Sequence, residues 1–277
     1  MTIDIKEFPK EYSEALDEVL IGSTYCGKYH VDGAEFVSAR QVSVPSIDFG
    51  TNPEPTAYNR FASEDGATIN RTIYTLDHDL EKQFYGDALD AVDEACAAAT
   101  TVVSEYLRTV FAPYEDKLFF QSIVANAPKE SKKSYTGDTV LTVDNIKSEL
   151  RKVRKQFTQV GLRAGDLYMT SDALALLEDA TNRQWGNDGA INDIVGSYDG
   201  FNIYEVADDT LGTDFTAIAS GTESIRYITK RAVSYLFMPG QHTKGDGWLA
   251  QMRWVFGHVA LNNKKVALYT HKGTAAG

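Results

Sequence analysis

The longest regular pattern in this chain is a run of apolar residues at helical spacing between Ala88 and Val124. Recurrence every three to four residues places such side chains on one face of a helix. A continuous helix over residues 87–126 would be about 60 Å long, more than one small domain requires. We expect Pro113 to kink or break it, because proline removes a backbone hydrogen bond. The apolar positions are Leu89, Val92, Cys96, Ala99, Val103, Leu107, Val110, Phe111, Tyr114, Leu118 and Ile123.

A two-residue alternation precedes this helix. Residues 36–50, FVSARQVSVPSIDFG, alternate apolar and polar positions, and ATINRTIYTLDHD forms a second strand-like run. Pro45 restricts the first strand to a sheet edge or a bulge. Residues 36–80 therefore predict an extended two-stranded ribbon, which is only marginally stable in water when isolated. The chain offers no obvious partner for the ribbon, whereas another subunit could.

The first 35 residues have little apolar periodicity. Residues 10–20, KEYSEALDEVL, predict a short amphipathic helix. The polar, glycine-dotted stretch that follows has no clear period. We therefore interpret residues 1–35 as an arm with little core of its own.

Residues 139–225 have the mixed pattern of an α/β segment. A clean helical stripe ends at Gly161, and DLYMT and DALALLEDA then predict a strand and a second helix. In IVGSYDGFNIYEV, residues 194–206, Gly196 and Gly200 punctuate a turn before a strand. Asp199-Gly200 is a hairpin-turn signal, because glycine tolerates the positive φ that such turns need. Neither glycine opens a helix, so the context of a dinucleotide-binding loop is missing.

From about residue 226 the pattern becomes purely β. Trp248, Met252, Trp254 and Phe256 share one face of a long strand, which we predict to be the core face. The opposite face, with Leu249, Val255 and Val259, is the alternative core. Asn262-Asn263 predicts a turn into a last strand, VALYTH.

Composition and charge narrow the function classes. The 277 residues include 27 basic and 39 acidic ones, a net charge of -12, which opposes non-specific binding to nucleic acid or anionic membranes. The N-terminus lacks the pattern of an export signal, and no apolar run approaches membrane-spanning length. Two cysteines are too few for a disulfide framework. We expect a soluble protein without a membrane partner.

The candidate chemical motifs are weak. On a strand, Asp77 and Asp79 face away from His78, so the three cannot chelate one metal ion. GQHTKGDGW, residues 240–248, joins two strands and lacks the ending of a phosphate loop. The basic residues of the helix near residue 150 are typical of a solvated helix face. We expect no catalytic, cofactor or metal site.

The order of these elements resembles a family. RTIYTLDHDLEKQFYGDALDA and YLRTVFAPYEDKLFFQSIVANA resemble the passage from an extended loop into a spine helix in the major capsid proteins of tailed bacteriophages. These proteins have the Hong Kong 97-like fold, which encapsulin shells share. IVGSYDGFNIYEV is similar to a corner of the family's axial domain, and WLAQMRWVFGHVALNNKKVALYTH to the closing hairpin of its peripheral domain.

The resemblance implies an α+β fold with four parts. These are an N-terminal arm (1–35), an extended β-ribbon loop (36–80), a peripheral domain with a long spine helix and a β-meander (81–138 and 226–277), and an inserted α/β axial domain (139–225). It makes Gly196 and Gly200 a structural corner, and Trp248, Trp254 and Phe256 core residues. The loop arginines, suited to charge-paired contacts between subunits, are Arg40, Arg60 and Arg71.

The implied function is self-assembly of hexamers and pentamers into an icosahedral virion shell around double-stranded DNA. The shell would be synthesised in the bacterial host cytoplasm, and its implied partners are separate scaffolding and portal proteins and a cement protein. Residues 36–80 contain no lysine, so we expect no covalent weld of the kind some relatives form through a loop lysine. An encapsulin-type compartment and a monomeric α/β enzyme are the alternatives.

Overall fold

The computed structural model describes residues 24–32, 34–48, 68–87, 95–129, 135–159, 161–162, 165–181, 194–212, 214–221, 223–242 and 244–273. The predicted helix over residues 10–20, the tip of the ribbon with Arg60, and the side chain of Cys96 lie outside the described residues.

The described strands form three sheets. The first is a ribbon of order β1-β2-β3, the second has the order β4-β10-β9, and the third has the order β11-β8-β5-β7-β6. The strands are β1 (Glu35–Ser38), β2 (Gln41–Asp48), β3 (Thr68–Thr75), β4 (His78–Asp87), β5 (Gly165–Met169), β6 (Ile194–Tyr198), β7 (Phe201–Glu205), β8 (Phe215–Ser220), β9 (Ile225–Phe237), β10 (Gly247–Ala260) and β11 (Leu268–Lys272).

Helices lie between these strands along the chain. The first two are joined by a π-helical turn, Leu107–Phe111, and 3-10 turns cover Cys26–Tyr29 and Asn262–Ala267. The α-helices are α1 (Ala95–Tyr106), α2 (Ala112–Asn126), α3 (Ile146–Gln159), α4 (Ser171–Thr181) and α5 (Asp208–Leu211).

The long helical segment passes Pro113 without leaving helical geometry. Phe111 and Ala112 keep right-handed helical angles, and Pro113 falls in the first turn of α2. The π-helical turn directly precedes the proline. Such a turn widens the helix locally, so the missing N–H of Pro113 does not end it. Of the expected kink or break, the break does not occur, and the helix changes its hydrogen-bonding pattern just before the proline.

Strand β10 is the centre of the second sheet and is buried on both faces. Trp248, Trp254 and Phe256 lie in the main core cluster with α2, and they are at most 7% exposed. On the other face, Val255 and Val259 form a separate buried cluster with the base of the ribbon. The two faces that the sequence offered as alternatives are thus both core.

The five-stranded sheet is covered on both sides. Tyr168 and Ile218 face α2 and belong to the main cluster. Leu167 and Ile203 face the opposite way and pack with the apolar sides of α3 and α4. A sheet buried on both faces requires nearly continuous apolar strands, and all five residues of β5 are buried.

The predicted pairing of the last strand is wrong. β11 pairs with β8 at the edge of the five-stranded sheet, not with β10. A 3-10 turn, Asn262–Ala267, carries the chain from one sheet to the other, where a hairpin was expected. The side chain of Gln156 fixes this turn by donating hydrogen bonds to the carbonyl oxygens of Val266 (2.6 Å) and Leu268 (2.8 Å).

The boundary between ribbon and second sheet also needs correction. The ribbon ends at Thr75, and β4 starts at His78 and pairs with β10 over its whole length. Leu76 between them is fully buried against Gly257, where an added Cβ would lie 3.0 Å from the Cα of Leu76. Lys82, the first lysine after the ribbon, therefore lies inside β4.

Candidate assembly surface

The ribbon exposes an apolar face. Ile47 and Ile69 are directly paired across β2 and β3 and are 56% and 67% exposed. Ile73 lies two alternations further along the same face of β3 and is 55% exposed. Branched apolar side chains on one face of a strand pair normally pack against another layer. Within the described residues, no layer of this chain covers this face.

The opposite face of the ribbon is anchored at its base. Val42 is 1% exposed and packs in a cluster with Leu76, Ile228 and Val255, and Tyr74 lies against the same cluster. At Pro45, strand β2 has a hydrogen-bonded neighbour on one side only. That neighbour is β3, because β1 pairs only with residues 41–43 of β2. Proline is tolerated there since no second ladder needs its N–H.

Two of the three predicted contact arginines, Arg40 and Arg71, have carboxylate partners in their own chain. Arg40 pairs with Asp79 at the ribbon base, and Arg253 holds the same carboxylate with nitrogen–oxygen distances of 2.9 and 2.8 Å. Hydrogen bonds from Arg253 and then Arg40 hold the pKa of Asp79 well below its usual range. Arg71 lies 3.3 Å from Glu35 on the apolar face. The side chains of Arg40 and Arg71 are more than half exposed, so each can still form an ion pair with another carboxylate.

The other predicted site residues lie in a turn, at a strand irregularity or against an aromatic ring. Asp199 and Gly200 form the turn between β6 and β7 with φ of 52° and 90°, and Gly196 lies at a register shift in the same pair. His78 packs on Phe256, away from the Asp79 pair. Among the described residues, no group of three His, Cys, Asp or Glu side chains could hold a metal ion. In this part of the chain, no helix is long and apolar enough to cross a membrane.

The stretch 24–31, which we call the strap, is not a free arm. Cys26 and Tyr29 are at most 2% exposed, and the Val31 N–H donates to the carbonyl oxygen of Tyr227 at 3.0 Å. The N–H of Cys26 donates to the Asp116 carboxylate on α2 at 3.1 Å. Burial raises the pKa of Asp116 to about 7. The end of the predicted arm is therefore part of the subunit core.

A buried polar cluster joins the strap to the five-stranded sheet. Asp166 is 1% exposed and accepts hydrogen bonds from Lys28 Nζ at 2.6 Å and Tyr29 Oη at 2.8 Å. Lys28 also donates to the hydroxyl of Tyr204 at 2.8 Å. Burial alone would lower the pKa of Lys28, but the hydrogen bonds to Asp166 and Tyr204 outweigh it and raise this pKa. This cluster was not predicted from the sequence. The closely spaced aromatic residues of TYCGKY are the local signal that could have indicated it.

Comparison with known proteins identifies the architecture. No protein-family model and no curated protein sequence matches the chain. Solved structures do match. The capsid of cyanophage P-SCSP1u is 11% identical, with 88% of this chain and 86% of that chain covered and a TM-score of 0.61. The capsid of Ralstonia phage GP4 is 10% identical, with 90% of this chain and 86% of that chain covered and a TM-score of 0.59. A virus-like particle from Pyrococcus furiosus also matches, at 12% identity, with 96% of this chain and 100% of that chain covered and a TM-score of 0.54. At these identities the likeness is one of fold.

Proposed function

We propose that this chain, which has the fold of tailed-phage capsid proteins, is the major capsid protein of a tailed bacteriophage or prophage. Copies assemble into hexamers and pentamers that form an icosahedral head around double-stranded DNA. The observation that carries the proposal is the ribbon, with one face anchored and the isoleucine face open. An exposed apolar face of this kind marks a protein interaction site.

The parts of the chain take the following roles in this proposal. Residues 139–225 form the axial domain near the centre of each ring, and α1, the π-helical turn and α2 form the spine. β4, β9 and β10 form the peripheral sheet. Residues 36–75 form the extended loop that reaches over a neighbouring copy. β11 joins the axial domain, since it pairs with β8.

Charge is consistent with this role. The net charge of -12 disfavours adhesion of the shell to DNA everywhere, so DNA would be enclosed without sequence-specific binding. The two loop arginines with own-chain partners, and Arg60, are suited to ion pairs with acidic neighbours. Separate scaffolding and portal proteins, and a cement protein, would complete a virion built in the bacterial cytoplasm.

A second candidate is an encapsulin-type compartment. The Pyrococcus virus-like particle matches over 96% of this chain and its own full length. The contents of purified particles separate the two: a phage shell would associate with portal, scaffold and DNA, whereas a compartment would enclose an enzyme.

The proposal is tested by expressing the chain alone and together with its adjacent genes, then examining the product by electron microscopy and sedimentation. We expect rings or closed shells. A monomer under all of these conditions and at all concentrations would contradict the proposal.

The ribbon face provides the first mutational prediction. We expect Ile47→Lys with Ile69→Lys to lower the assembled fraction at least about tenfold, because two charges would enter each of many repeated contacts. Both side chains are more than half exposed, so the melting temperature of the subunit should not change. Asn70→Lys, on the other face of β3, is the matched control. Normal shells from the double variant would contradict the role of this face.

A second prediction is that mature shells contain no covalent bonds between subunits. Residues 36–80 contain no lysine, and arginine stays protonated and is not a nucleophile at neutral pH. Lys82, the nearest lysine, lies in β4 with its ammonium 5.6 Å from the ring centre of Tyr106 in its own chain. A boiled, reduced denaturing gel should show one band near 30.6 kDa. A ladder of multiples of this mass would disprove the prediction.

A further inference from the structure

The outer side of α3 carries a stripe of cations that the shell proposal does not use. Lys147, Arg151 and Lys155 recur every four residues, and the last two are exposed. Leu150 and Val153 on the opposite side of α3 are buried in the core of the five-stranded sheet. The stripe therefore has a fixed position on a firmly packed helix. We call Lys147, Arg151 and Lys155 the basic stripe.

The basic stripe differs from its neighbours on the same helix. Lys152 lies 2.7 Å from Glu149, and Arg154 pairs with Asp199 of the β6–β7 turn. The basic stripe makes no hydrogen bond or ion pair with any residue that the structure describes. Among the described residues, these three cations thus have no carboxylate partner in a chain of net charge -12, although the flanking cations each have one.

The neighbouring helix carries the complementary charge. Asp172 and Asp179 of α4 are exposed, and neither forms an ion pair within the described part of the chain. They are seven residues apart, about 10.5 Å along the helix, and Lys147 and Lys155 are eight residues apart, about 12 Å. Both helices belong to the layer over the same sheet. We call Asp172 and Asp179 the acidic ridge.

We infer that the basic stripe of one copy contacts the acidic ridge of the next copy in a ring. This inference rests on the proposed function, because a closed ring needs two different, complementary surfaces on every chain. Copies with net charge -12 repel each other at long range, so local opposite charges are needed to orient neighbouring copies. The same net charge disfavours nucleic acid as the partner of only three cations.

Charge reversal tests the contact. One variant carries Lys147→Glu, Arg151→Glu and Lys155→Glu, and the other carries Asp172→Lys and Asp179→Lys. We expect each variant alone to lose at least about tenfold of its assembled fraction, because like charges then face each other. An equimolar mixture should recover six-membered rings in electron micrographs, since the reversed stripe of one variant then meets the reversed ridge of the other. Circular dichroism and thermal melting verify that each variant is folded.

The control keeps the charge and exchanges the residue type: Lys147→Arg, Arg151→Lys and Lys155→Arg should assemble normally. Normal assembly of both reversed variants would overturn the inference and leave the proposed function intact. Loss of assembly without recovery in the mixture would also overturn it. So would normal assembly of the stripe variant with loss of nuclease-protected DNA, which would make nucleic acid the partner. If the wild-type chain never assembles, the proposed function fails and the inference with it.

Discussion

Replacing Trp254 by alanine is expected to destabilise the subunit by about 3–5 kcal/mol. The indole is 6% exposed and stacks on Phe111 at the π-helical turn, with ring centres 4.1 Å apart and an angle of 25° between the planes. It lies on β10, the central strand of its sheet, opposite Leu80 on one side and Ala232 on the other. Its removal leaves a cavity where two strands and the helical segment meet, a region too constrained to collapse around the gap.

The measurement is denaturant unfolding of the monomeric chain, so that contacts between copies do not add to the measured stability. Tyr114→Ala is the control, because this aromatic residue on α2 is 45% exposed and its loss should cost at most about 0.5 kcal/mol. A loss below about 1 kcal/mol for Trp254→Ala would show that this face of β10 contributes little to the core.

The sequence predicted the helices and strands better than it predicted which of them pack or pair with each other. The helical spacing over residues 95–126 and the alternation in β2 and β10 are local signals, and the structure has helix and strand there. In β10, however, Trp254 and Val255 point to opposite faces that are both buried. Period-two alternation identifies one buried face, so the second core was interpreted as an alternative and not as an addition.

The pairing of β11 could not be derived from its surroundings. Asn262-Asn263 is a turn signal in any context, and a hairpin back to β10 is the most local solution. The 3-10 turn that replaces it depends on Gln156, whose side chain reaches the carbonyl of Val266 across 110 positions of sequence. Contacts of this range decide topology without leaving a mark on the local pattern.

Local signals predicted part of the candidate assembly surface, and long-range contacts hid the rest. Pro45 and the alternation around it predicted a ribbon, and the absence of a local partner predicted an open face. The strap was misinterpreted as a free arm, because its anchors lie far along the chain. Lys28 and Asp166 are 138 positions apart, and Cys26 and Asp116 are 90 apart. The strap also directly precedes β1, so it ties the ribbon to the other two sheets.

This anchoring makes Asp166 the second position where a single change should have a large effect. We expect Asp166→Ala to destabilise the protein by about 3 kcal/mol, the lower end for a broken buried ion pair, because the side chain of Lys28 is 39% exposed and its ammonium can regain water. Tyr29 is 2% exposed, and its hydroxyl would lose the 2.8 Å hydrogen bond to the carboxylate while keeping its 3.2 Å contact with the hydroxyl of Tyr168. An incompletely satisfied buried donor adds to the cost.

A double-mutant cycle with Lys28→Met separates the ion pair from the other hydrogen bonds of Asp166. If the pair anchors the strap, the double variant should be more stable than the sum of the two single losses predicts, because neither charge is then left alone. Denaturant unfolding of all four unassembled proteins measures this coupling. Additive losses would mean that Asp166 acts through its other hydrogen bonds, from Tyr29 Oη and from the side-chain amide of Asn202, which donates to the carboxylate at 3.3 Å. A coupling of about 1 kcal/mol or more would establish that the Lys28–Asp166 ion pair itself stabilises the folded chain.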